Sequence, residues 1–261
     1  MAGAVKIVAH ALRMLVDEPL TTLRVLMPAL VMVLASSTAA SLLAPDTLRS
    51  LAQGTPEEVA TITPGTLLAL LLFLLIAALG YTLLAILWHR HVLLVGEDRA
   101  SAPSPGGRVV LGYVWKAALV VLCQVLAAIP IGVAMTVVAG TAGAAVSPGA
   151  GGLFAGLLAG IAFVWIALRI GLVLPAASLG AQMGIAESWR ATAQASGTLV
   201  GVAALVATIN FGFTLLSGAV VSATAAPMGP LQTTILLVEG LVFVSVLTTL
   251  YGHLVEGRAL G

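Results

Sequence analysis

The chain has 261 residues, of which 60% are hydrophobic and 8% charged, with 11 Lys and Arg against 10 Asp and Glu. A mean hydropathy of +1.14 leaves too little polar surface to cover a water-soluble globule of this length. A net charge of +1 supplies no whole-protein field for nucleic acid, so the composition is that of an all-α protein dissolved in a bilayer.

The first element is amphipathic. Val5, Val8, Ala9, Leu12, Leu15 and Val16 fall on one helical face and Lys6, His10, Arg13 and Asp17 on the other, before Pro19 interrupts the pattern. This predicts an interfacial helix over 1–19. The stretch is long and mixed in charge for a signal peptide, so the apolar segment after it is expected to stay as an anchor.

Crossing the hydrocarbon core takes about 20 apolar residues in a helix. Six segments reach that length, near 24–44, 66–88, 114–138, 153–174, 199–224 and 231–252. Pro28 and Pro130 lie inside the first and third, where neighbouring helices can satisfy the freed carbonyls. Between the first two spans, residues 45–65 carry Asp46, Arg49, Glu57 and Glu58, and their middle suits a short surface helix. The connections at 140–151 and 226–230 are short and uncharged. Residues 96–112 read as a linker, and 178–196 as a second interfacial amphipathic helix, with Trp189 at headgroup level and Arg190 facing water or phosphate. Nothing else is large enough for a soluble domain, which leaves one six-helix membrane domain over 1–261.

Basic residues orient it. Lys6, Arg13, Arg24, Arg90, Arg99, Arg108, Lys116, Arg169, Arg190 and Arg258 fall on one side of the spans, and only Arg49 on the other. By the positive-inside rule both termini are expected in the cytoplasm, with the protein in a bacterial inner membrane.

Inside the spans the chemistry is sparse. Gly152, Gly156 and Gly160 place three glycines on one helical face, a close-packing surface for another helix of the same chain or of a partner. Glu239 is the one acid within a span, roughly 12 Å below the far surface. Asn210 at similar depth and Gln124 are its expected hydrogen-bonding partners, forming either a neutral cross-link or an intramembrane polar site. Arg169 is near enough to the interface to snorkel to lipid phosphate. His10, His89, His91 and His253 map to the near side with Glu97, Asp98 and Glu256, but their spacing does not suit a metal, and no cofactor motif occurs. Cys123 reads as a packing residue. The even-numbered spans end in Trp88-His89-Arg90, Arg169 and Tyr251-Gly252-His253, which suggests three related helical hairpins.

The stretches Trp88-His89-Arg90-His91-Val92-Leu93-Leu94, Arg169-Ile170-Gly171-Leu172-Val173-Leu174-Pro175-Ala176, Glu187-Ser188-Trp189-Arg190 and Tyr251-Gly252-His253 resemble those of uncharacterised six-span bacterial inner-membrane proteins. These are similar to the membrane domain attached to some glycerophosphodiester phosphodiesterases. The resemblance implies a six-helix bundle and no transferable chemistry: no stretch of residues 1–261 is expected to form the catalytic barrel, and His89-Arg90 is followed by His91 where those enzymes have glycine. The expected function is therefore non-enzymatic: organising, stabilising or regulating a membrane protein complex or the lipid environment. Membrane lipids, another membrane protein or a second copy are the expected partners. The alternative is a transporter or lipid-handling protein built around Glu239, Asn210 and Gln124.

Overall fold

A computed structural model of the chain describes residues 2–95, 104–224 and 229–260. The linker residues Glu97, Asp98 and Arg99 and the connection at 226–228 lie outside them. The protein is an all-α, multi-pass membrane protein. Among the described residues six helices have the length and apolarity to cross a bilayer: α2 (Pro19–Leu43), α5 (Pro64–Leu93), α6 (Gly107–Ala145), α7 (Pro148–Ile170), α10 (Ser196–Thr224) and α11 (Gly229–Leu254). Five shorter helices accompany them: α1 (Ala2–Val16), α3 (Pro45–Gln53), α4 (Pro56–Ala60), α8 (Val173–Ser178) and α9 (Ile185–Ala191).

Proline marks where helices begin. Pro19, Pro45, Pro56, Pro64 and Pro148 each occupy the first turn, where the missing N–H is one that the helix would leave unbonded anyway. Thr55 and Glu58 close a reciprocal capping box on α4, and Ser147 accepts from Ala150 N to start α7. The Ser147 cap turns the expected loop at 140–151 into a tight corner. α6 runs to Ala145 and α7 begins at Pro148, because the Ala-rich segment is a good helix former and Ser147-Pro148 is a start signal.

The packed core lies toward one end of the bundle, the end where α5, α7 and α11 finish and α2, α6 and α10 begin. In α5 every buried residue falls between Gly80 and Leu93, none in the first half. The largest buried cluster joins Leu93, Leu168, Leu172, Ala176, Leu199, Val202, Leu247 and Leu250. α6 is the least embedded: Tyr113 is its only buried residue.

Of the two predicted surface helices, α1 forms nearly whole, whereas the helix expected over 178–196 is only the seven-residue α9, preceded by a turn at Leu179–Gly180 and an irregular stretch over 181–184. α1 buries Ala4, Ile7, Val8 and Ala11 in the main cluster, while Val5 and Val16 stay exposed. The buried face is set by close approach: a Cβ on Gly201 of α10 would stand 2.9 Å from the Ala4 Cβ, and Ser245 of α11 donates to Ala11 O at 2.8 Å. Small residues win over larger apolar ones because they let the backbones meet. The expected triplicated hairpin is not how the helices pack. α2 pairs with α5 and α6 with α7, whereas α10 packs mainly on α7, and α11 on α1, α2 and α5.

Candidate functional site at the near end of the bundle

A helix leaves its last four carbonyls without partners, and a buried helix end must find donors for them. Three arginines supply them here. Arg90 Nη1 donates to Ser178 O at the end of α8 at 2.9 Å. Arg258 Nη2 donates to Leu93 O at the end of α5 at 2.6 Å while its Nε pairs with Glu256 at 2.6 Å. Arg169 Nη1 donates to Thr192 O, just past α9, at 3.1 Å. Each cation also faces the negative end of a helix dipole.

Arg169 is the most enclosed of them and corrects the expectation that it snorkels. Its exposure is 5%, and its guanidinium lies 4.1 Å from the Trp189 ring centroid and 5.7 Å from that of Trp165. The two indoles meet edge to face at 5.7 Å. α9 folds back over the end of α7, so the aromatic faces meet the cation before lipid phosphate can. Ser188, fully buried, fixes the fold-back by donating to Arg169 O at 2.8 Å and accepting from Leu172 N at 3.2 Å. Trp189 and Arg190 are exposed, and Arg190 Nε donates to Ala186 O at 3.2 Å.

Next to this locked layer is a groove of about 950 Å³ between the first turns of α6 and the 177–190 segment. Arg108, Gly112 and Lys116 line one wall; Gly180, Gly184, Glu187 and Arg190 are among the residues on the other. Among the described residues Arg108 and Lys116 form no hydrogen bond or ion pair, and Glu187 is engaged by Gly184 N at 2.7 Å. Gly180 turns the chain at φ 77°, a backbone conformation in which a side chain would be strained.

The predicted intramembrane site does not assemble. Gln124 Nε2 donates to Phe163 O of α7 at 3.0 Å, while its Oε1 and Asn210 Oδ1 are buried without a hydrogen-bond partner. Glu239 is half-buried and bonded to neither. The three residues sit on α6, α10 and α11, and of the three only Gln124 reaches a neighbouring helix with a hydrogen bond among the described residues.

The glycine face also shifts by one residue. Added Cβ atoms on Gly152 and Gly156 would meet nothing within 4 Å, and one on Gly160 would only touch Ala207 at 3.7 Å. Gly151 is the packing glycine: its Cβ would come within 2.5 Å of Ala139 O and Gly143 N. Regular spacing along a helix cannot identify which of two adjacent glycines faces α6.

The histidines disperse. His89 is fully buried, with Nδ1 2.8 Å from Thr248 Oγ1 on α11 and its ring 6.2 Å from that of Tyr113, so it is a core residue and not an interfacial one. His253 Nδ1 lies 2.9 Å from Arg258 O. Among the described residues no three His, Cys, Asp or Glu side chains gather. Sequence reasoning missed the partners Ser178, Ser188, Thr192 and Thr248, because a small hydroxyl carries no signal without its neighbour. The groove wall was missed as well: residues 96–112 read as a linker, whereas 107–112 form the first turns of α6 and place Arg108 and Gly112 on the helix face that carries Lys116. Compared with known proteins, the chain matches no family model, and no curated protein or solved structure is significantly similar to it.

Proposed function

We propose that the chain is a non-enzymatic integral membrane protein of a bacterial inner membrane, with both termini cytoplasmic, that organises or stabilises a membrane assembly or its lipid surroundings. The observation behind this reading is α6. At 39 residues it is about 58 Å long, roughly twice the hydrocarbon thickness, and it presents a continuous apolar stripe of Leu111, Trp115, Leu122, Ile129 and Val133 away from the bundle. In a bilayer such a face mates with lipid or with another membrane helix, and contact with a helix adds specific packing that acyl chains lack. The resemblance to six-span inner-membrane proteins points the same way.

Photo-crosslinkers at Leu122, Ile129 and Val133 in intact membranes test it. One discrete protein adduct, or a dimer of the chain, is the expected product. Adducts to lipid alone at all three positions, with no change in the surrounding lipid composition when the protein is removed, would sink the proposal. The second reading, transport or lipid handling around Glu239, draws on the unbonded carboxyl of Glu239 and the orphaned Asn210 Oδ1. It requires Glu239→Gln to alter a flux.

A further inference from the structure

We propose that the groove between α6 and the 177–190 segment holds the phosphate of an anionic glycerophospholipid. Six of the near-end cations fall into two sets. Arg90, Arg169 and Arg258 are consumed by helix ends in the fold. Arg108, Lys116 and Arg190 line the groove and none makes an ion pair with a carboxylate among the described residues. With Glu187, which already accepts from Gly184 N, the charged lining comes to three positive and one negative, a net of +2.

Placement argues for lipid over a soluble phosphate. At about 100° per residue, Arg108, Gly112 and Lys116 lie within about 80° of arc on α6. Tyr113 and Ala117 on one flank pack into the bundle. Leu111, Val114 and Trp115 on the other flank are exposed, Trp115 at 63%. The same two turns therefore offer cations to a headgroup and, beside them, an apolar strip with an indole at interface depth for the acyl chains. A soluble anion uses the first and has no use for the second. The groove floor is stiff, because Ala177 and Ser178 are buried and Arg90 ties Ser178 O to α5. A preformed site loses less entropy on binding.

The test is lipid retention by the purified full chain in detergent and in nanodiscs, read by native mass spectrometry and by thermal stabilisation. Phosphatidylglycerol is expected to bind with about one lipid per chain and phosphatidylcholine much more weakly. The triple variant Arg108→Gln, Lys116→Gln, Arg190→Gln should weaken phosphatidylglycerol roughly a hundredfold. Gly112→Phe keeps every charge and fills the groove, and because a Cβ there meets nothing within 4 Å the fold should persist; it too should lose the lipid. Equal retention by wild type and either variant, or equal binding of the two lipids, overturns the site. Displacement by inorganic phosphate as effective as displacement by phosphatidylglycerol overturns the lipid as occupant. None of these readouts depends on the α6 crosslinks, so this site and the assembly reading fail separately.

Discussion

The guanidinium of Arg169 stands 4.1 Å from the ring of Trp189, twenty residues further along the chain, and donates to the carbonyl of Thr192. A cation shielded from water in this way is held by an aromatic face and a carbonyl dipole in place of a carboxylate. Such a contact contributes about 2 kcal/mol when desolvated. Arg169→Lys should lower thermal stability in detergent by about 1–2 kcal/mol, since an ammonium cannot stack and donate in the same plane. Arg169→Ala should cost more, because Thr192 O then loses its donor. Wild-type melting of both variants would show that the clamp contributes nothing.

Gly151 and Gly152 make a matched pair. Gly151→Ala forces a methyl against the backbone at Ala139 and Gly143 and should destabilise by about 1–3 kcal/mol in a denaturant titration. Gly152→Ala and Gly156→Ala meet open space and should be neutral or more stable by up to about 1 kcal/mol. The reverse order would mean that the α6–α7 contact is rotated.

α1 is held by Gly201 and Ser245. Gly201→Leu drives a side chain into Ala4, and the expected result is a helix that detaches: residues 2–16 become protease-sensitive while the spans stay protected. Ser245→Ala should have a milder effect, about 0.5–1.5 kcal/mol. Protection unchanged in Gly201→Leu would place α1 outside the core.

His89 and Thr248 join α5 to α11. Thr248→Val and His89→Leu should each destabilise, and a double-mutant cycle should return a coupling of at least about 0.5 kcal/mol. Strict additivity would remove the hydrogen bond from the account.

Glu239→Gln should leave stability within about 0.5 kcal/mol of wild type, since among the described residues no group bonds the carboxyl. A larger loss would reveal a buried partner, and a change in flux with stability intact would favour the transport reading.

Six spans, an all-α class and the division of basic residues were legible in the sequence, because bilayer thickness and backbone hydrogen bonding leave a chain this apolar few alternatives. The helix starts were not: α2, α5 and α7 begin at Pro19, Pro64 and Pro148, ahead of the apolar runs near 24, 66 and 153, and α6 takes residues 107–112 from the expected linker. Tertiary structure decided what depends on helix rotation. It buried Arg169 under Trp189, chose Gly151 over Gly152, sank α1 into the core through Ala4 and Ala11, and kept Glu239, Asn210 and Gln124 from bonding to one another. A helix that is apolar on every side has no polar face to turn toward water and so nothing of its own to set its rotation. The facing residues are selected by fit against neighbours that the helix's own sequence does not contain.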